Sequence, residues 1–205
     1  MENQIKYAFR MVHVDNIPHI LKSGFVCRRL SAHNSDYVSI ADSMVLLRRD
    51  EVLGRKIQVE DYIPFYFGPR QPMLYVIQNG YNGVVQRSPE EIVYCVVRLD
   101  ALVESNAECV FTDGHALSNT TSFYNGDQLA NIDEIIKYSE VYSQFWNQDN
   151  DIDLKRRKEA ELLLKYYLKA DFISGYVVYN DSAKNRLIEY GIPAERIAVR
   201  KDYYF

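Results

Sequence analysis

Nowhere in these 205 residues do about 18 apolar residues run together, so no membrane-spanning helix is expected. The opening Met1-Glu2-Asn3-Gln4-Ile5-Lys6 is too polar to be expected as a signal peptide. Cysteine is scarce. Cys27, Cys95 and Cys109 are odd in number and widely spaced, without metal-ligand intervals. They read as reduced, mostly buried thiols of a cytoplasmic protein. His13, His19, His33 and His115 share no zincin spacing, so no metal is expected. A basic excess is also missing: the net charge is −4. That argues against constitutive packaging of duplex DNA, where phosphate contacts carry much of the affinity. It leaves room for an enzyme that grips a short nucleic-acid segment through a local basic patch. No phosphate loop, dinucleotide glycine fingerprint or nucleophile elbow is present. Without a low-complexity linker, an internal repeat or a shift in composition, residues 1–205 are expected to form one domain.

What the chain has instead is aromatic side chains, including 17 tyrosines and 9 phenylalanines. Their densest stretch is Asp61-Tyr-Ile-Pro-Phe-Tyr-Phe-Gly-Pro-Arg-Gln-Pro-Met-Leu-Tyr75, with five aromatic residues and three prolines in fifteen positions. Three prolines argue against a regular helix or a central strand here. The segment reads either as core packing or as a stiff pocket wall on which flat rings stack.

The remaining pattern mixes strands and helices without a regular βαβ rhythm, which predicts an α+β fold. Ala8–Val14 reads as a strand. Asp15 or Asn16 then caps a short helix that has Pro18 in its first turn and Gly24 after its end. Ile40–Leu53 reads as helical. Ile92–Leu99 is apolar and β-branched enough for a strand buried on both faces. Further strands are expected at Cys109–Thr112, Tyr176–Tyr179 and Ile197–Arg200. Further helices are expected at Asn131–Lys137 and at Ser182–Tyr190, the latter closed by Gly191. Leu154–Ala170 fits either a helix or the mouth of a strand.

Several residues invite chemistry, each with a plainer alternative. Arg10 and His13 are either cleft residues or a surface cation and an edge histidine. Phe111-Thr112-Asp113-Gly114-His115 is either a cleft-facing strand exit or a capped turn. Glu161, before three leucines, is either a desolvated carboxylate or part of a solvated helical face paired with Lys155–Lys158. That basic run, and Arg48/Arg49 with Arg55/Lys56, are candidate phosphate contacts or solvated faces.

Taken in order, Phe9-Arg-Met-Val-His-Val-Asp-Asn-Ile17, Asp61-Tyr-Ile-Pro-Phe-Tyr-Phe-Gly-Pro69, Phe111-Thr-Asp-Gly-His115 and Glu159-Ala-Glu161 resemble the DarT family of DNA ADP-ribosyltransferase toxins. The resemblance implies an ADP-ribosyltransferase-like fold: a split, strongly bent β core with helices around it. It implies transfer of ADP-ribose from NAD⁺ to a base in single-stranded DNA, most often thymidine. It implies a DarG-like macrodomain antitoxin as partner. Position by position, the family's catalytic glutamate matches Glu161. Its arginine falls at Arg55, with Lys56 or Arg49 as alternatives. Arg10 and His13, with Tyr66 and Phe67, are expected on NAD⁺. His115, Arg49, Lys56 and Tyr75 are expected on DNA. Guanine, RNA or a protein as acceptor, and a non-enzymatic single-strand-binding module, remain alternatives.

Overall fold

The computed structural model describes residues 4–41 and 61–205. The expected helix at Ile40–Leu53 therefore falls almost wholly outside the described residues, as do Arg49, Arg55 and Lys56. Strand β1 (Tyr7–His13) turns at Asn16 into helix α1 (Ile17–Ser23). Gly24 ends that helix with φ of 68°, and a Cβ there would sit 2.2 Å from the Leu168 carbonyl oxygen, so only glycine fits. Strands β2 (Phe25–Val26) and β3 (Tyr62–Tyr66) follow, then helix α2 (Pro72–Asn79), strand β4 (Ile92–Arg98) and helix α3 (Leu99–Glu104). Strands β5 (Cys109–Thr112) and β6 (Phe123–Asn125) precede three short helices: α4 (Ile132–Ile135), α5 (Tyr138–Val141) and α6 (Leu154–Lys158). The chain closes with β7 (Glu161–Lys165), β8 (Tyr167–Leu168), β9 (Ile173–Val178), helix α7 (Asp181–Glu189) and β10 (Ile197–Val199). Leu154–Ala170 is thus both of the things its sequence suggested, helix first and strand second.

One eight-stranded sheet runs in the order β10-β9-β4-β1-β3-β7-β5-β6, and β2 pairs separately with β8. Strands β1 and β4 are laddered along their whole length, from Tyr7↔Arg98 to His13↔Ile92. Strands β3 and β7 are likewise paired throughout, from Tyr62↔Lys165 to Tyr66↔Glu161. Between these halves, β1 and β3 share a single register pair, Phe9↔Tyr66. The sheet is therefore split down its middle.

That split corrects the expectation about proline. Pro64 lies within β3, a central strand, opposite Leu163 of β7. A residue's N–H and C=O point to the same side of a strand, and the Pro64 carbonyl faces β1, where Arg10 Nη1 donates to it at 2.6 Å. The missing N–H therefore falls on the unladdered side and costs no bond to β7. Pro72 opens helix α2 at its first position, where the N–H would be unpaired in any case.

The apolar residues of β4 are buried from Ile92 to Val97, as expected for a strand covered on both faces. At one end of the sheet, the fully buried Tyr204 hydroxyl lies 3.0 Å from the carbonyl oxygens of Ile92 and of Val177. Arg70 donates to the Tyr204 carbonyl and stacks over Phe205, which fixes the last residues against α2. No helix of the described residues is long and apolar enough to cross a membrane.

Candidate active site

The parting of β1 from β3 opens a cleft of about 430 Å³, within the range of small-molecule sites. Its floor is Tyr62, Pro64 and Tyr66 of β3 with Leu163 of β7. Arg10 and Met11 form one wall, and the loop from Cys27 to Ala41 forms the other. That loop is tied down at two points. Asn16, buried beside the start of α1, exchanges two 2.9 Å hydrogen bonds with the Val38 backbone. Arg29 pairs with the buried Asp61 carboxylate at 3.1 Å.

Three cationic or titratable groups line this cleft. Arg10 spans the split to Pro64 and lies 5.4 Å from the Phe25 ring centre. Its Nε is buried with no partner among the described residues. Arg28 and His33 line the same space. Burial, then the charges of Arg10 and Arg28, hold the His33 imidazole below its ordinary pKa of 6.5.

The opposite end is built by the turn after β5. Thr112 Oγ donates to the Gly114 carbonyl at 2.7 Å and accepts from the Glu161 amide at 3.0 Å. Gly114 packs so tightly on Arg156 that a Cβ would stand 2.9 Å from its carbonyl oxygen. The turn then delivers the Ala116 amide to Glu161 Oε1 at 3.1 Å. Glu161 is fully buried. It shares its sheet face with Leu163, which lines the cleft, and stands directly opposite Tyr66. His115 lines the cleft, and its Nδ1 accepts from the Leu117 amide at 3.2 Å. The neutral ring therefore carries its proton on Nε2.

Glu159 also lines the cleft, although it was expected only as a neighbour of Glu161 in the Glu159-Ala-Glu161 motif. Burial pushes its carboxyl from 4.5 up to about 7; Glu161 adds to the shift while Lys155 and Lys158 oppose it. Arg28, His33 and Tyr62 are further cleft residues that sequence reasoning missed. Tyr62 stands within the aromatic Asp61–Tyr75 segment, whereas for Arg28 and His33 the signal is three-dimensional, since neither sits in a distinctive local motif.

Of the residues expected at the site, Arg10, Tyr66 and His115 come together in the cleft, with Glu161 on its sheet face. Others do not join them. His13 is buried at the end of β1, where its Nδ1 accepts from the Asp15 amide and its Nε2 lies 3.3 Å from Glu91. Phe67 is fully buried edge-to-face with Phe111, a core contact. Tyr75 clusters with Tyr81, Trp146 and Phe205 beside a separate depression. The Lys155–Lys158 run is mostly consumed internally. Arg156 binds Asp153 and Asp113, and Arg157 binds Asp151, Asp153 and Glu140. Lys158 is fully buried and donates to the Pro69 and Val141 carbonyls. Only Lys155 is exposed, so the run is not the phosphate-binding face its composition suggested. Among the described residues, no group of three or more His, Cys, Asp or Glu could hold a metal ion.

A split mixed sheet with a cleft at the parting and a glutamate beside it is the α+β architecture of the ADP-ribosyltransferases. The solved structure of Thermus sp. 2.9 DarT in complex with ADP-ribosylated single-stranded DNA superposes on this chain with a TM-score of 0.84 at 25% identity, covering 100% of this chain and 99% of that one. The same Thermus protein in complex with NAD⁺ gives a TM-score of 0.79 at 23% identity, over the whole of both chains. The sequence model of the family described as "ssDNA thymidine ADP-ribosyltransferase, DarT" matches residues 9–205. A DNA ADP-ribosyl transferase of Escherichia coli O127:H6 is 31% identical over 183 residues, covering 87% of this chain and 83% of the relative. A fusion of a DNA ADP-ribosyl transferase with a DNA ADP-ribosyl glycohydrolase, from Thermosipho africanus, is 26% identical over 89% of this chain and 45% of the fusion. The chain belongs to the DarT family. It is an NAD⁺-dependent ADP-ribosyltransferase of single-stranded DNA, which sets aside a purely binding role.

Proposed function

We propose that this enzyme transfers ADP-ribose from NAD⁺ to thymidine in single-stranded DNA, with Glu161 as its catalytic carboxylate. One observation carries the residue assignment. The Thr112–Ala116 turn holds the Glu161 backbone and carboxylate at once, beside a cleft that opens where β1 leaves β3.

The cleft suits the dinucleotide. Arg10 offers a buried Nε without a partner among the described residues, and Arg28 adds a second cation for phosphate oxygens. Tyr62 and Tyr66 offer ring faces for nicotinamide or a base. NAD⁺ supplies the ADP-ribosyl group, with nicotinamide as the departing group. Positive charge grows on the ribose as that bond breaks, and the buried Glu161 carboxylate opposes it in a low-dielectric setting. Arg55 keeps its expected part in orienting phosphate or the acceptor base. Arg49 and Lys56 keep theirs on the DNA strand. His115, with its proton on Nε2, donates to a carbonyl of the acceptor base.

A base inside a duplex does not reach such a site, which accords with a single-stranded substrate. The fused glycohydrolase of the Thermosipho relative supports a macrodomain-type antitoxin, DarG-like, as the partner that removes the mark. Three buried free cysteines suit a cytoplasmic site of action.

The test is incubation of the protein and NAD⁺ with single-stranded oligonucleotides that each lack one base, read by mass spectrometry. The adduct is expected on every oligonucleotide containing thymidine and absent from the one without it. An adduct that follows guanine instead would overturn the thymidine assignment.

A further inference from the structure

We propose that His33 is a ligand of the dinucleotide's diphosphate and binds it as imidazolium, so that each NAD⁺ seated in the cleft brings a proton with it. The inference rests on the reading of this cleft as the dinucleotide site.

The loop from Cys27 to Ala41 is fixed on either side of His33. The Arg29–Asp61 pair holds it before that residue, and the Asn16–Val38 hydrogen bonds hold it after. Between these ties, the His33 amide donates to the Leu30 carbonyl at 2.9 Å, and its ring centre lies 5.6 Å from that of Tyr37. The residue lines the same space as Arg10 and Arg28. Charged or titratable groups act on its ring from three elements: Arg10 on β1, His19 on α1 and Arg28 on its own loop. Each opposes a proton on His33, and burial opposes it more; the Asn34 backbone pulls the other way. Without an anion beside it, the ring is therefore mainly neutral at about pH 7. Farther along the cleft, His115 and Glu159 are the other titratable lining groups besides the tyrosines among the described residues.

A diphosphate reverses this balance. Its two negative charges offset the repulsion from the cationic cluster, and its oxygens accept a charge-assisted hydrogen bond from an imidazolium N–H. NAD⁺ carries no group of its own that titrates near neutral pH, so the proton comes from solvent. The bound protein then holds more protons than the free one between the free and the bound pKa of His33. By reciprocal coupling, NAD⁺ affinity falls as pH rises through that interval and levels off below it, where His33 is already charged. Arginine keeps its charge throughout and gives affinity without that dependence.

The experiment is calorimetric titration of the protein with NAD⁺, without DNA, in phosphate and in Tris buffer at about pH 7. The two buffers differ in ionisation enthalpy, so the difference in heat counts protons. Wild type is expected to take up a fraction of a proton. Its Kd should rise with pH between about pH 6.5 and pH 8, by at most about 10-fold per unit. H33Q keeps an N–H donor but cannot take the charge. It should take up no proton, show a Kd nearly flat with pH, and bind several-fold more weakly than wild type at the acid end. H19Q, H115Q and E159Q remove the other titratable groups and should keep the uptake. Equal heats in the two buffers for wild type would overturn the inference before any variant is made. So would uptake that persists in a folded H33Q, or that vanishes in H19Q, H115Q or E159Q. R10Q separates the inference from the reading beneath it. If R10Q binds NAD⁺ as wild type does, the dinucleotide does not sit in this cleft and both fail. If R10Q binds weakly while wild type shows equal heats, the proton linkage alone fails.

Discussion

The Thr112 hydroxyl accepts the Glu161 amide at 3.0 Å while donating to Gly114, so one side chain sets the register between the β5 turn and the first residue of β7. Both residues are fully buried, out of reach of bulk solvent. Thr112→Val should leave the Glu161 amide and the Gly114 carbonyl unpaired and cost about 1–3 kcal/mol in urea unfolding. Activity should fall further than stability alone explains, because the Ala116 amide that holds Glu161 rides on the same turn. Thr112→Ser should restore both. A Val variant with wild-type unfolding midpoint and turnover would remove the turn from the account.

The loop leaving β3 has a second demand. A Cβ on Gly68 would lie 2.0 Å from the Val141 carbonyl oxygen, a backbone atom that cannot swing away. Lys158 Nζ closes the same junction by bonding Val141 and Pro69 at 3.1 and 3.2 Å. Gly68→Ala should lower stability by about 1–3 kcal/mol or more through overpacking. Lys158→Met should cost about 1–3 kcal/mol by orphaning two carbonyls. Thermal unfolding of each variant checks both figures.

Arg10 joins the two halves of the split sheet and faces the cleft. Arg10→Gln should raise the KM for NAD⁺ by about 10- to 100-fold, the worth of a charge-assisted hydrogen bond, and change kcat less. Arg10→Lys should recover little, since an ammonium lacks the rigid planar guanidinium that bonds Pro64 through Nη1 and carries Nε beside it. Steady-state kinetics with NAD⁺ as the varied substrate distinguishes these outcomes. An unchanged KM in Arg10→Gln would remove Arg10 from the dinucleotide site.

Glu159 makes a prediction about stability. Its carboxyl is raised from 4.5 to about 7 in the folded state. Between those values the folded protein binds more protons than the unfolded one, so this group's contribution is full below 4.5 and is lost as pH rises through 7. Glu159→Gln removes that dependence. The variant should be more stable than wild type at pH 8, by on the order of 1 kcal/mol, and the difference should shrink toward pH 5. Urea titrations at the two pH values check the sign.

Much of the framework was legible in local pattern. The β-branched run of β4, the strand of β5 and the Gly191-closed helix α7 appear where their sequences put them, because each is stabilised by burial along one short segment. Pro64 misled because the rule against proline in central strands assumes a ladder on both sides, and the split removes one. Lys155–Lys158 misled because its partners Asp113 and Glu140 lie far off in sequence. Phe67 and Tyr66 are neighbours of like character, but strand alternation sends one to the core and the other to the cleft. Motif order pointed to Glu161 and His115, and the fold places both beside the cleft. Glu159 stood in the same motif without a role of its own, because its setting depends on how α6 meets β7.

The most direct test of the central claim is transfer of labelled ADP-ribose from NAD⁺ to a single-stranded thymidine oligonucleotide by wild type and Glu161→Gln. Glutamine keeps the shape and can still accept from the Ala116 amide, so circular dichroism and the unfolding midpoint should be preserved. The account predicts label on DNA with wild type and a loss of about 100- to 1,000-fold in the folded variant. Equal labelling by the two proteins would contradict it.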